Sequence, residues 1–303
     1  MVPNHLIDIV MCTYNGERFI AKQLDSILKQ TFQDFHLTVF DDNSSDNTLK
    51  IVDEFARNSK KITSVRRHKR LGFVRNFELG IESSLAPFIS LADQDDIWLP
   101  QKLELQIKAI QEVDHKNIPV VVNSDLAVID SCDQVICSSY FKLRKYKMPK
   151  RKYLHRIITY NGVMGCSMLF NQQLKRAALP FPIETHLHDY WLALLAECTG
   201  IRITINKPLI LYRRHSTNYG CGSANKKVNA RPYQYLNRTE IMRTLLEMPQ
   251  ISSKDKKLIY AFNSYLNASD TCAMQLYFLL RYRFIKFGPK FWRAFVAIST
   301  SSL

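Results

Sequence analysis

The stretch FISLADQDDIWLP, residues 88–100, decides how the rest of the chain is read. Its first half, Phe88-Ile89-Ser90-Leu91-Ala92, is the near-continuous apolar run of a strand buried on both faces. Three carboxylates, Asp93, Asp95 and Asp96, follow at once, and Ile97-Trp98-Leu99-Pro100 closes the stretch. Acidic clusters ordinarily belong to solvated loops, yet this one ends a buried strand. One aspartate is explained as a cap on a helix entered through Pro100. Three are not, because close like charges raise one another's pKa unless a cation neutralises them. A divalent ion with hard oxygen ligands, Mg2+ or Mn2+, is the natural neutraliser.

The pattern around this stretch repeats. Ile7–Cys12, Leu37–Phe40 and Ile62–Val65 are predicted strands. Helical spacing of Ile20, Leu24, Ile27 and Leu28, of Leu49, Val52 and Phe55, of residues 73–85, and of Leu103, Ile107 and Ile110 fills the gaps. Alternation of this kind predicts an α/β sheet with parallel pairing, right-handed crossovers and helices on both faces. Ligands of such sheets lie beyond the carboxyl ends of the strands. Thr13-Tyr14-Asn15-Gly16-Glu17, Asp41-Asp42-Asn43-Ser44-Ser45-Asp46 and Asp93-Gln94-Asp95-Asp96 all fall there. Asp46 suits a helix cap, which leaves Asp41 and Asp42 free to hydrogen-bond a nucleobase or ribose. Further strands are predicted at Val120–Ile129, Cys166–Phe170 and Leu209–Tyr212, a helix at His186–Thr199, a loop at Tyr219–Ser223, and helix from about 233 to 287.

The 303 residues, 46% hydrophobic, suffice for a sizeable core. No apolar run is long enough to span a bilayer, and the N-terminus lacks a signal-peptide pattern. Seven cysteines without a Cys-x-x-Cys pair argue against a disulfide framework or a structural zinc site, and so for a reducing, cytoplasmic setting. Charge divides the chain. Residues 1–140 carry 15 Lys and Arg against 20 Asp and Glu, and residues 141–303 the other 27 against 7. The second part should seek an anionic surface or substrate. Eight Lys or Arg lie within residues 142–156, and Tyr277, Phe278, Tyr282, Phe284, Phe287, Phe291 and Trp292 interleave with Arg281, Arg283, Lys286, Lys290 and Arg293. That tail reads equally as an interfacial membrane segment on the inner face of the plasma membrane or as a helix packed on the main domain.

In combination, the strand ending in Thr13-Tyr14-Asn15, the strand ending VFDDNSSDNT (39–48), RHKRLGFVRNFELG (67–80), LADQDDIW (91–98) and His188-Asp189-Tyr190-Trp191 resemble glycosyltransferase family 2 over roughly residues 5–215. The DQDDIW and HDYW variants are most similar to its bacterial rhamnosyltransferase-like members, which build capsule or O-antigen polysaccharide. The resemblance implies a GT-A fold: a Rossmann-like mixed sheet flanked by helices, with a mostly helical C-terminal region. It implies a catalytic domain over 1–220 and a basic, aromatic helical region over 221–303. It implies that Asp41 or Asp42 contacts a uracil or thymine base with Thr13, Tyr14 and Asn15 alongside, that Arg70 flanks the nucleoside and that Asp93 reaches the ribose. Asp95 would bind a metal bridging the diphosphate, supported by Asp96, and His215 would serve as a further ligand or a phosphate donor. Asp189 would be the base that takes the acceptor's proton, in competition with a plain helix-capping role; His188 stands where many members carry Glu. Absence of a Gln-x-x-Arg-Trp motif implies single-sugar transfer. The expected activity is therefore a metal-dependent, inverting, non-processive transfer from a UDP- or dTDP-sugar, dTDP-rhamnose among them, to a glycan or lipid-linked acceptor. A sugar-nucleotide pyrophosphorylase would want a glycine-rich basic loop after the first strand, and TYNGE supplies no lysine. A nucleic-acid-binding role finds no motif and faces an acidic ligand edge, so nucleic acid is not an expected partner.

Overall fold

A computed structural model describes residues 4–114, 117–146, 148, 152–182, 185, 187–216, 218 and 238–267. The predicted loop Tyr219–Ser223, His186, basic positions 147, 150 and 151 and the aromatic–basic segment 277–293 lie outside the described residues.

Nine strands form one mixed sheet: β1 (Ile7–Thr13), β2 (Phe35–Asp41), β3 (Ile62–Arg66), β4 (Phe88–Asp93), β5 (Ile97–Trp98), β6 (Val120–Ile129), β7 (Val135–Cys137), β8 (Leu169–Asn171) and β9 (Ile201–Arg213). Their order is β3-β2-β1-β4-β8-β6-β9-β5, with β7 on β6. β1, β2, β3 and β4 pair in parallel, so their carboxyl ends share an edge. β8 enters antiparallel between β4 and β6, and makes the sheet mixed.

Alternation along β1 sends Ile7, Ile9 and Met11 to one face and Val10 to the other. The first face packs against α1 (Ile20–Leu28), α2 (Thr48–Asn58) and α4 (Lys102–Asp114). The second packs against α3 (Phe73–Ser83), α6 (Leu154–Tyr160), α7 (Gln172–Ala178) and α8 (His188–Thr199). α5 (Tyr140–Leu143) is a single turn anchored by buried Phe141. α8 is buried almost all round, from Tyr190 to Cys198, which is why it shows little amphipathic periodicity. α9 (Arg238–Glu247) and α10 (Ser253–Asn267) contribute Ile241, Met242, Leu245, Ile259 and Phe262 to the same core as α8.

Some elements differ from expectation. The predicted strand Cys166–Phe170 is a 3-10 turn at Gly165–Ser167 followed by β8. The strand expected at Leu209–Tyr212 runs from Ile201, because its buried inner face carries Arg202 and Thr204 rather than apolar residues. Arg202 is matched there by the equally buried Glu197. The helix expected from His186 begins at His188.

Candidate active site

The parallel strand ends carry the three acidic segments to one edge. At the end of β1, Thr13 Oγ1 donates to Asp41 Oδ2 at 3.0 Å. Asp41 also accepts from the Ser44 amide at 2.9 Å and the Ser44 hydroxyl at 2.5 Å. Asp42 accepts from the Leu71 and Gly72 amides at 2.6 and 2.9 Å. Both carboxylates are buried with both oxygens engaged. Short polar neighbours and a returning loop hold the pair in place, as buried charge requires, and each carboxylate keeps further acceptor capacity. The loop that Asp42 ties down lays the Arg70 guanidinium 3.7 Å from the Tyr14 ring centroid. Asn15 sits at φ 47° and accepts from the Ser45 amide at 2.9 Å.

Gln94 joins this loop to the β4 end. Its Oε1 accepts from the Tyr14 amide at 2.9 Å, and its Nε2 donates to the Tyr14 carbonyl at 3.1 Å. A Cβ on Gly16 would lie 2.3 Å from that Oε1, so a side chain there would displace the Gln94 amide from Tyr14.

At the β4 end the three aspartates separate. Asp95 Oδ2 lies 2.8 Å from His215 Nε2 and accepts from Asn218 Nδ2 at 3.0 Å. Asn218 also accepts from the His215 amide at 2.5 Å and donates to the Arg213 carbonyl at 3.1 Å, which fixes the turn that presents the imidazole. Two ligands of one octahedral cation, each about 2.1 Å from it, sit about 3 Å apart. The Asp95–His215 spacing fits that requirement, and a carboxylate with an imidazole suits Mn2+ better than the oxygen-preferring Mg2+. Asp96 is fully buried; its Oδ1 accepts from the Arg213 amide at 3.0 Å, and its Oδ2 has no partner among the described residues. The structure therefore does not bring Asp96 to the Asp95–His215 pair. It brings it to Asp93 and the buried Cys166, whose donor atoms lie within 4.8 Å of one another. Burial, and then the charges of Asp95 and Asp93, push the Asp96 carboxyl well up. Burial followed by the charges of Asp95 and Asp189 pushes Asp93 up.

Arg213 holds this region together. Its buried guanidinium donates through Nε to the Asp95 carbonyl at 2.7 Å and through Nη1 to the Asp130 carbonyl at 3.1 Å and to the Asp133 carboxylate, and it covers the Phe19 ring.

Asp189 enters from α8, in its first turn rather than at its cap, which is Leu187. It accepts from the Tyr190 amide at 2.6 Å and from Asn161 Nδ2 at 3.2 Å. Burial raises its pKa to about 6. His188 beside it is buried, stacked on Phe77 with ring centroids 4.3 Å apart, and neither ring nitrogen has a partner among the described residues. Burial lowers its pKa to about 3, so the ring is neutral.

Sequence reasoning missed Gln94, Asn161, Cys166, Arg213 and Asn218. Gln94 and Arg213 lay inside recognised segments, where nothing in the sequence distinguishes them from neighbouring polar residues. Asn161 and Asn218 act as turn ties, for which composition carries no distinguishing signal.

A model of the family described as "Glycosyl transferase family 2" matches residues 8–172. The chain is 29% identical over 196 residues to the Escherichia coli UDP-Glc:alpha-D-GlcNAc-diphosphoundecaprenol beta-1,3-glucosyltransferase WfgD, covering 64% of this chain and 71% of that protein. Its fold is similar to that of Staphylococcus aureus TarS 1–349 in complex with UDP-GlcNAc, with a TM-score of 0.63, 18% identity, and 88% and 74% of the two chains covered. It is also similar to that of the mannosyltransferase PcManGT from Pyrobaculum calidifontis in complex with GDP-Man and Mn2+, with a TM-score of 0.57, 15% identity, and 97% and 79% covered.

Proposed function

The chain belongs to glycosyl transferase family 2 and is a glycosyltransferase of GT-A fold, and from that premise we propose that it moves a single sugar, with inversion, from a UDP- or dTDP-sugar to a glycan or lipid-linked acceptor. The observation that carries the proposal is the convergence at one sheet edge: Asp95 is paired with His215 at 2.8 Å, the Asp93 carboxylate lies within 4.8 Å of the Cys166 sulfur, and Asp189 lies beside Gly165. A nucleotide diphosphate held at the first group places its anomeric carbon before the last.

In this reading the Tyr14 ring and Arg70 guanidinium flank the base, with Thr13 and Asn15 shaping the loop. Asp41 and Asp42 act through that loop, and Asp93 faces the ribose. Asp95 and His215 hold the divalent cation, with Asp96 buttressing the turn from below. A bound cation supplies Lewis-acid stabilisation of the departing diphosphate; the Mn2+ beside GDP-Man in PcManGT supports that choice. Asp189 takes the proton of the acceptor hydroxyl as that oxygen bonds to the anomeric carbon, while the bond to the diphosphate oxygen breaks on the opposite face. One base and one displacement invert the configuration. The UDP-GlcNAc bound by TarS supports a uridine donor, and the diphosphoundecaprenol named for WfgD supports a lipid-linked acceptor at the cytoplasmic membrane face.

A melting-temperature screen of UDP-Glc, UDP-GlcNAc, dTDP-rhamnose and GDP-Man, each with and without Mn2+, tests donor and metal together. A UDP- or dTDP-sugar should raise Tm only with the ion, and Asp95→Ala should lose that rise. Stabilisation by GDP-Man alone, or a rise independent of both Mn2+ and Asp95, would overturn the assignment.

A further inference from the structure

Three of the six exposed large apolar side chains among the described residues lie within one short segment: Val135 and Ile136, each more than half exposed, and Leu143. They occupy β7 and α5. Among the described residues β7 pairs only with β6, along one of its edges. α5 is fixed from beneath, since Asp125 accepts from the Ser139 hydroxyl at 2.5 Å and the Phe141 amide at 3.0 Å. That anchoring turns Lys142, Leu143 and Lys145 outward.

Asp133, just before Val135, is paired with Lys22 and Arg213, and past it the charge along the sequence has one sign. From Gln134 to Ile183 there is no Asp or Glu, while ten Lys and Arg occur there, Lys142, Arg144 and Lys145 among the described ones. The surface also adjoins the site. The turn between β6 and β7 is held by Arg213 through the Asp130 carbonyl and Asp133, and the same guanidinium binds the Asp95 carbonyl. Lys22 pairs with Asp133 from the other side. Tyr140 of α5 lies 6.3 Å, ring to ring, from Tyr212 at the end of β9.

We infer that β7 and α5 form the surface by which this enzyme seats on an anionic lipid bilayer, Val135, Ile136 and Leu143 entering the headgroup region and Lys142, Arg144 and Lys145 meeting its negative charge. Apolar side chains ringed by basic ones are what interfacial binding requires, and charge of one sign over so long a run favours a bilayer over a second copy of this basic chain. The inference rests on the proposed lipid-linked acceptor: it sets the carboxylate edge at the plane where a membrane-held diphosphate lies.

Co-sedimentation of the full chain with phosphatidylcholine vesicles, and with mixed phosphatidylcholine–phosphatidylglycerol vesicles, tests it. The wild type should pellet with the anionic vesicles. Lys142→Glu/Lys145→Glu should weaken that binding about 25-fold or more, from about fivefold per basic residue at such a surface. Val135→Ser/Ile136→Ser should weaken it as well. Both variants should keep the donor-induced rise in Tm. Loss of the donor effect in the wild type would instead strike the proposed function. Wild-type partitioning by both variants, or no wild-type binding to anionic vesicles, overturns the inference. So does a dimer in light scattering that Val135→Ser/Ile136→Ser dissolves, because the occupant is then a second copy.

Discussion

Asp189 and His188 are neighbours on α8 with opposite properties. Asp189 keeps polar partners and a pKa near 6, so its carboxylate can both exist and accept a proton at neutral pH. Asp189→Asn keeps an acceptor oxygen for the Tyr190 amide while removing the base. Transfer should fall by about 10²–10⁴-fold, the usual contribution of such a group, with donor affinity by calorimetry unchanged. The sign of the pH effect follows from the raised pKa. The base form is lost as pH falls through 6, so kcat at saturating donor should drop below that point; a kcat flat down to pH 5 would remove Asp189 from the role. His188, by contrast, occupies an apolar slot between Phe77 and Phe73. A Cβ on Gly165 would stand 2.8 Å from its Nε2, so the ring fills the space to the next backbone. His188→Glu, although Glu is what the family resemblance implies for many members, puts a carboxylate where no donor waits. It should lower Tm, and more at pH 8 than at pH 5, where the carboxyl can remain protonated.

At the scale of elements, the sheet edge was legible because the first half of the chain obeys simple rules. Buried strands end in polar turns, and parallel pairing gathers those turns together. Ile7–Cys12, Phe88–Leu91 and Val120–Ile129 could be read from apolar runs alone. β5, β7 and β8 could not, since two or three residues carry no period. β9 was half hidden because Arg202 and Glu197 replace apolar packing with a buried ion pair, whose separation would cost about 3–5 kcal/mol. The candidate site was legible as residue types but not as partners. Nothing in VFDDNSSDNT reveals that Ser44 and the 71–72 amides claim both aspartates. Nothing in LADQDDIW reveals that Arg213, more than a hundred residues later, ties the Asp95 carbonyl and the Asp96 carboxylate in place. Long-range hydrogen bonds of that kind leave no periodic trace.

For the whole molecule, α9 and α10 share a core with the elements of the sheet domain. Ile241, Met242, Leu245, Ile259 and Phe262 pack with α8, and Arg238 donates to the Ile158 carbonyl at 3.0 Å while covering Tyr190. Burial of each such apolar side chain stabilises by roughly 1.5–3 kcal/mol, and five together rival the roughly 5–15 kcal/mol net stability of a domain. A chain ending at residue 236 should therefore lose its cooperative thermal transition; an unchanged Tm would show that α9 and α10 are dispensable. Among the described residues no helix is long and apolar enough to cross a membrane. The central claim joins the nucleotide end of the sheet to Asp189 in one reaction. Its most direct test is release of UDP or dTDP from the stabilising donor, with Mn2+ and a polyprenyl-diphosphate sugar acceptor, by wild type and Asp189→Asn. Acceptor-dependent release and a product of inverted anomeric configuration are expected with the wild type, and neither with the variant. Equal turnover by the variant, or a product of retained configuration, would contradict it.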